Sequence, residues 1–441
     1  MTDLLNSRWA RAALSGLGLV AVALVAILFG RLVPSQPILV LAAGLACLAL
    51  GITAVEPAAI PLLVMPVLLV SYRIGTGGLQ LSVSDAALAV ATLAALVFAP
   101  KPFTRELRTL LWLNAGYQFA TLFTVLANPY TSNTIEWFHA WMLVSGALLV
   151  GWTIGARGQA RLGVTLFLLT AVCLAGLTLV VGVTQLARRD FSPVYLEWPF
   201  GMHKNFVGTV LAFAAITAYA RPQWLRWSKT FGMTVFAVLV AGLIVTQSRQ
   251  AILGLGVALV VVAFRQDPAR RRSRLILLAV IPAVILVATV VKDQVESQNQ
   301  FNSVFTRLNW FSETFEFWTR SPWVGHGLRF WYQEGSAIGY QPPNAFLEVV
   351  ASAGLVGLVA FVVMMAGMLI VVWRMDPRFG ILASAVLISR LVQSQLDLFW
   401  VSVQVSVPFV IIGICLGAAA HASAAESSVG DRAAQSKLTL R

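Results

Sequence analysis

The chain has 441 residues, of which 59% are hydrophobic and 11% are charged, and its net charge is +13. Average soluble domains carry roughly 25% charged residues, so the composition excludes that class and predicts an all-α polytopic integral membrane protein. The basic excess does not indicate a nucleic-acid partner, because membrane proteins collect Lys and Arg in their cytoplasmic loops. The expected surroundings are a lipid bilayer.

Apolar segments that approach the roughly 20 residues of a membrane span recur along the chain. The first is followed by further apolar segments and lacks a convincing cleavage site, which favours a membrane helix over a removable signal peptide. The pattern predicts about 12–14 transmembrane helices. They lie near residues 11–34, 36–53, 57–71, 85–100, 108–127, 138–156, 162–184, 206–220, 230–247, 251–265, 274–291, 345–373, 379–397 and 399–420.

Basic residues predict the orientation of these helices. Most of the 31 Lys and Arg residues fall on one side of the membrane when the N-terminus is cytoplasmic, as the positive-inside rule requires. Both termini are therefore expected in the cytoplasm. We divide the chain into N-terminal transmembrane helices (1–190), a second transmembrane region (191–420) with a long external loop (292–344), and an Ala- and Ser-rich tail (421–441) that is predicted to be disordered.

Two short external segments carry polar residues at predicted helix starts. Segment 196–208 reads LEWPFGMHKNFVG, and segment 246–254 reads TQSRQAILG. The second segment turns back with almost no loop, so Arg249 is expected at the membrane boundary. There it could bind an anion together with the free amides of a helix N-terminus. The alternative is an interfacial Arg that only anchors the helix.

The long external loop predicts an amphipathic helix from about Ser303 to Thr319 that lies on the outer membrane surface. The loop is also dense in aromatic residues, among them Trp310. These residues are typical of an interfacial aromatic belt, and they equally suit stacking platforms for sugar rings. The apolar face of the helix is formed by residues three and four apart, namely Val304, Leu308, Phe311, Phe315 and Trp318.

No cofactor or metal site is indicated. His203 and His326 lie in separate segments without metal-ligand spacing, and the three Cys residues are far apart within apolar runs. In one of the last predicted helices, Arg390 and Asp397 are ionisable residues at membrane depth, which favours a functional role. A partnership between these two that only holds helices together is the alternative.

Four segments follow one another in the second half of the chain. They read MHKNFVG, TQSRQAILGL, TRLNWFSETFEFWTRSPWVGHGLRFW and PPNAFLEVVASAGLVGL. Their order and spacing, over residues 196–365, resemble the O-antigen ligase and Wzy-type polymerase superfamily of bacterial envelope enzymes. That family has an Asn-containing helix start, a Ser-Arg turn, an Arg-x-x-x-Trp segment leading to Pro-x-x-Gly-x-Gly, and a His-Asn-x-x-Leu helix start. Phe311 takes the Trp position of the third motif.

The resemblance implies a metal-independent, inverting glycosyltransferase, without a cofactor, at the outer face of the bacterial cytoplasmic (inner) membrane. Such an enzyme moves a glycan from an undecaprenyl-diphosphate carrier to a hydroxyl of a glycan or lipid-glycan acceptor, as a ligase or as a polymerase. The departing diphosphate needs cations, and Arg suits phosphate oxygens. The family's Arg positions correspond to Arg249 and Arg307, and Arg329 is a further candidate.

One position departs from the family pattern. The family has a His before the Asn of the last motif, whereas this chain has Pro343, which can neither accept nor donate a proton. Asn344 is still expected to orient a sugar hydroxyl. The candidates for acid–base chemistry are His326, His203, Glu334 and Glu348. The residues expected to contact substrate are His203, Lys204, Asn205, Trp310, Arg329 and Asn344.

Two other function classes stay open. A transporter or flippase of lipid-linked saccharides predicts inverted repeats and broken, charged helices in both halves. The sequence has no convincing repeat, and its polar residues concentrate on one face of the membrane, which favours an enzyme. Pro343 raises the further possibility of a non-catalytic partner in polysaccharide assembly.

Overall fold

The computed structural model describes residues 44, 51–53, 55–74, 81–197, 200–265, 303–332 and 341–439. Side chains of residues 74, 303–308 and 428–439 are outside this description. The chain forms two compact units, residues 1–59 and 60–441. Apart from Ala59, all elements described below belong to the second unit.

The described part of the chain is almost entirely helical. Six of its helices are long and apolar enough to cross a membrane, and three shorter helices are also apolar. This confirms the predicted all-α polytopic membrane protein. The helices are α1 Ala59–Val67, α2 Val83–Phe98, α3 Arg105–Ala127, α4 Thr131–Trp141, α5 Ala147–Ala156, α6 Ala160–Ala187, α7 Lys204–Ala220, α8 Lys229–Thr246, α9 Arg249–Phe264, α10 Ser303–Thr319, α11 Ala345–Arg374, α12 Pro377–Gln393 and α13 Ser402–Thr439.

Five smaller elements of the described chain, three helical turns and two strands, lie between the helices. A π-helical turn, Met142–Gly146, joins α4 to α5 into one span. Two 3₁₀ turns lie at Gln223–Leu225 and Phe330–Tyr332. Strands β1, Arg73–Ile74, and β2, Leu81–Ser82, form an antiparallel hairpin between α1 and α2, with Arg73 opposite Ser82.

Polar residues at the helix starts explain where several helices begin. Ser82 and Asp85 form a reciprocal capping box at the start of α2, which satisfies two amides that the helix itself cannot pair. Ser228 caps α8 through its side chain, which accepts from the amide of Phe231. Asn344 caps α11 by accepting hydrogen bonds from the amides of Phe346 and Leu347.

Helices α5 and α13 approach each other through glycines. Gly151 and Gly155 are spaced four apart in α5, and a Cβ at either position would collide with the backbone of α13. Gly413 and Gly417 have the same spacing in α13 and face the backbone of α5. Small residues at this spacing let membrane helices pack closely in the absence of a hydrophobic driving force.

The predicted loop helix is confirmed as a helix over Ser303–Thr319, whereas its position on the membrane surface stays a prediction. The tail differs from the prediction, because α13 continues to Thr439 through the segment expected to be disordered. Ala is the strongest helix former, and the Ala-rich composition of this segment accounts for the difference. The predicted spans near 11–34 and 274–291, most of the span near 36–53, and the loop residues 292–302 and 333–340 lie outside the described residues.

Helix α11 is interrupted at Gly354, whose φ is 66°. This break leaves backbone groups of α11 unpaired within the helix, and segment 322–327 binds them. Gly325, at a φ of 68°, and Gly354 have no room for a Cβ because each lies against the backbone of the other segment. The amides of His326 and Gly327 donate to Ala351 and Ser352, and the amides of Leu355 and Val356 donate to Pro322 and Trp323, over 2.8 to 3.2 Å.

Candidate active site

A charged cavity lies among the N-terminal ends of four helices. Helices α2, α7, α11 and α13 each contribute at least one residue from their first turn, and α4 contributes Glu136 and His139 from its middle and last turn. The cavity encloses about 110 Å³, which is below the 300–1,000 Å³ typical of a complete ligand pocket. It therefore suits the reacting groups of a larger substrate. Its polar lining residues are Ser71, Arg73, Ser82, Asp85, Glu136, His139, Arg329, Tyr332, Gln341, Glu348 and Ser402.

His139 links two carboxylates at one wall of this cavity. Its Nε2 lies 2.8 Å from Asp85 Oδ1, and its Nδ1 lies 3.2 Å from Glu136 Oε1. An ionised carboxylate only accepts hydrogen bonds, so both ring nitrogens donate and the ring is the imidazolium cation. His139 is therefore a fixed positive charge in the cavity wall, with neither nitrogen left to accept a proton.

The same network orients Arg329. Glu136 Oε2 lies 3.1 Å from Arg329 Nε, so Glu136 bridges His139 and Arg329. Among the described residues, nothing accepts a hydrogen bond from the two Nη groups of Arg329. A guanidinium held through Nε presents both Nη groups in a fixed plane, which is the geometry that binds phosphate oxygens in pairs.

The chain segment that carries Arg329 is held from two sides. On one side segment 322–327 is bound to the break in α11. On the other side the connection between α3 and α4, together with the first turn of α4, contributes three contacts: Asn128 Nδ2 donates to the carbonyl of Gly325, the Tyr130 hydroxyl donates to the carbonyl of His326, and Asn133 Oδ1 accepts from the amide of Leu328. This docking fixes the backbone immediately before Arg329.

Glu348 faces the cavity from the first turn of α11. It is 2% exposed, its Oε2 accepts the amide of Phe399 at 2.9 Å, and its Oε1 accepts the side-chain amide of Gln341. A buried carboxylate with two donors is held in one orientation. The capping residue Asn344 also binds the carbonyl of Gln395 at 3.2 Å, which ties the start of α11 to the segment that carries Phe399.

Of the predicted site residues, the cavity brings together Arg329 and Glu348. The predicted group at the start of α7 lies beside it, because Phe206 lines the cavity and follows His203, Lys204 and Asn205 directly. His203 Nδ1 accepts the amide of Asn205 at 3.2 Å, which requires an unprotonated Nδ1. The pKa of His203 is lowered, mainly because partial burial disfavours the charged ring.

Two predicted residues whose side chains are described, Arg249 and Trp310, do not line the cavity. Arg249 begins α9, and its neighbour Gln250 donates to Asp397 at 3.1 Å. Trp310 is half-buried in α10. Arg307 lies on the same helix, but its side chain is outside the described residues, as is Glu334. The roles of these residues stay predictions.

The side chain of His326 is held by contacts with Phe317 and Phe330. Its Nε2 is 2.8 Å from the carbonyl of Phe317, and its ring packs against both Phe317 and Phe330 at centroid distances of 4.6 and 5.4 Å. These contacts tie the docked segment to α10, and the side chain does not line the cavity. Its predicted acid–base role is not tested by this arrangement.

Sequence reasoning missed three ionisable cavity residues: Asp85, Glu136 and His139. All three lie within, or at the edges of, segments that we predicted as apolar spans. Ionisable residues at such places are rare and indicate function, so a search for acids and histidines, and not only for basic residues, would have found them.

Two comparisons with known proteins bear on this site. A family model described as O-antigen ligase matches residues 233–362. A search of curated proteins gives no significant match. The matched region contains Arg249, Arg307, Arg329 and Glu348, whereas the other wall of the cavity, from α2 and α4, lies before it. Residues 233–362 are therefore similar to the O-antigen ligase family, which supports the resemblance of this multi-pass membrane protein to the O-antigen ligase and Wzy-type polymerase superfamily.

Proposed function

We propose that this protein transfers a glycan from an undecaprenyl-diphosphate carrier to an acceptor hydroxyl at the outer face of the bacterial inner membrane. The observation that carries the proposal is the pairing of an oriented guanidinium, Arg329, with a buried carboxylate, Glu348, in one cavity. The match of residues 233–362 to the O-antigen ligase family supports the choice of substrate class.

Glu348 acts as the base in this mechanism. It takes the proton of the acceptor hydroxyl while the hydroxyl oxygen attacks the anomeric carbon, and the bond from that carbon to the diphosphate oxygen breaks. Attack from the face opposite the leaving group inverts the anomeric configuration. Glu348 thus takes the part of the family His, whose position is Pro343 in this chain.

Cations stabilise the departing diphosphate. Arg329 and Arg73 line the cavity, and the N-terminal ends of the four helices α2, α7, α11 and α13 add partial positive charge around it. Fixed donors aimed at developing negative charge lower the barrier without rearranging during the reaction. These groups can replace a divalent metal, so the reaction is proposed to be metal-independent. Arg249 and Arg307 remain candidates for contacts farther along the donor.

The acceptor is a sugar hydroxyl of a glycan or of a lipid-linked glycan. Lys204 and Asn205 at the start of α7, Trp310 on α10 and the capping residue Asn344 are the proposed contacts for it. Polar and aromatic contacts of this kind suit the acceptor of a ligase and that of a polymerase equally.

The test uses purified protein in liposomes. The lipid-linked glycan is extracted from source cells in which the gene for this protein has been deleted, so that unreacted donor and acceptor accumulate together. We expect labelled glycan on the acceptor, release of undecaprenyl diphosphate, and the same rate with EDTA present. Glu348→Gln is expected to abolish release. Movement of intact lipid-linked glycan across the liposome membrane without bond cleavage would contradict the proposal and favour a flippase.

A further inference from the structure

Arg390 is a charged side chain buried completely within the helical core. It lies on α12 with 0% exposure, and its Nη2 donates to the carbonyl of Leu398 at 2.7 Å and to that of Phe399. Its guanidinium carbon lies 5.0 Å from the centre of the Phe399 ring. Burying a charge costs desolvation free energy, so a fully buried Arg points to a role for the contacts it makes. All of these contacts go to two consecutive residues, Leu398 and Phe399.

Asp397 does not fill the role of ion-pair partner. Its Oδ2 accepts from Gln250 at 3.1 Å and from Gln404 at 3.0 Å. The described residues show no Arg390–Asp397 bond, and the guanidinium binds backbone carbonyls instead. The structure therefore does not show the alternative, an Arg390–Asp397 pair that only holds helices together.

One peptide group connects Arg390 to Glu348. The carbonyl of Leu398 and the amide of Phe399 belong to the same planar peptide unit. Arg390 donates to the oxygen of this peptide, and the N–H of the same peptide donates to Glu348 Oε2 at 2.9 Å. A donor on the oxygen polarises the peptide and strengthens the N–H as a donor, and because the unit is planar, fixing one end fixes the direction of the other.

We propose that Arg390 is a positioning residue for Glu348: it holds the 398–399 peptide so that the peptide N–H keeps the Glu348 carboxylate directed into the cavity. This inference depends on the proposed function of Glu348 as the base. Arg390 does not line the cavity, so it acts through the peptide and not on the substrate.

The experiment compares Arg390→Met, Arg390→Lys and the wild type in the liposome assay, with release of undecaprenyl diphosphate as the readout. We expect Arg390→Met to lower kcat about tenfold or more with donor KM changed less than about twofold, since only the base is misplaced. Arg390→Lys keeps a donor for one carbonyl and should recover part of kcat. If Arg390→Met does not fold, the kcat of Arg390→Lys alone decides, because it should still fall below wild type.

Arg265→Met is the matched control. Arg265 also binds backbone carbonyls, those of Gly380 at 2.6 Å and Val372 at 3.2 Å, but at the opposite end of α11. Its replacement should lower thermal stability and leave kcat per folded molecule unchanged. A general effect of removing a carbonyl-binding Arg would lower kcat in both variants, and that result would overturn the inference.

A double-mutant cycle separates this inference from the proposed function. With Glu348→Gln already present, Arg390→Met should cause no further loss of rate, because the effects of substituting two residues that act together are not additive. An independent loss, or a wild-type kcat in Arg390→Met, overturns the positioning role while Glu348→Gln still reports on the base. Full activity of Glu348→Gln overturns both.

Discussion

Arg329 is held in place by a partner in the cavity wall. Its Nε binds Glu136, and Glu136 is in turn held by the positively charged His139. The guanidinium is thereby oriented before any ligand arrives, and preorganised charge is worth more than charge that must move into place. Glu136 should therefore influence binding of the diphosphate although it is itself negative.

Replacing Glu136 by Gln tests this orientation. A hydrogen bond to a charged group contributes about 1.5–3 kcal/mol, so we expect the donor KM to rise about tenfold or more, with a smaller change in kcat. The measurement is undecaprenyl diphosphate release as a function of donor concentration.

Glu316→Gln is the control for that substitution. Glu316 also pairs with an arginine, Arg320, at 3.1 Å, but both side chains are largely exposed on α10 and just after it. Exposed pairs contribute little, so this variant should behave as wild type. Equal KM changes in the two variants would show that loss of a carboxylate anywhere weakens donor binding.

At the scale of elements, the site depends on a break within helix α11. The break at Gly354 exposes backbone groups to which segment 322–327 binds, and this docking brings Arg329 into the same cavity as Glu348. Segment 322–327 and helix α11, which carry the third and fourth of the sequence motifs, are thus one structural unit.

Gly354→Ala should disrupt this unit. The position has a φ of 66° and no room for a Cβ, so the substitution strains the break and releases segment 322–327. We expect faster hydrogen exchange at the amides of His326 and Gly327, together with lower activity. Gly176→Ala on α6 is the control, because nothing lies within 4 Å of a Cβ there. Unchanged exchange in Gly354→Ala would contradict the docking.

The sequence predicts individual elements of this region well and their pairing poorly. The spacing of apolar residues placed α10 correctly, and the Asn344 cap marks the start of α11. The network of Asp85, Glu136 and His139 could not be predicted, because it depends on helices that meet only after the chain has folded. The contacts of Arg390 were missed for the same reason, since its charge pointed to an acidic partner whereas it binds backbone carbonyls.

At the scale of the whole molecule, several basic residues lie at the helix ends opposite the cavity. Four helices meet the cavity with their N-terminal ends, whereas Arg157, Arg221 and Arg374 lie at or just past the C-terminal ends of α5, α7 and α11. Basic residues favour the cytoplasmic side. This arrangement supports the prediction that the cavity faces outward and that both termini are cytoplasmic.

Cysteine labelling tests the orientation. In a variant without the native cysteines, Ser192→Cys, between α6 and α7, should react in intact cells with a maleimide that cannot cross the membrane. Ser423→Cys, on the exposed last part of α13, should react only after the membrane is opened. The reverse pattern would place the cavity in the cytoplasm and exclude chemistry at the outer face.

We propose that glycan transfer takes place in the cavity between Arg329 and Glu348. The most direct measurement compares the rate of undecaprenyl diphosphate release by Glu348→Gln and His326→Gln, both confirmed to be folded. Loss of a general base costs about 10²–10⁴ in rate, so we predict that loss for Glu348→Gln and a near-wild-type rate for His326→Gln, whose side chain binds Phe317 outside the cavity. A wild-type rate in Glu348→Gln with loss of activity in His326→Gln would contradict the account.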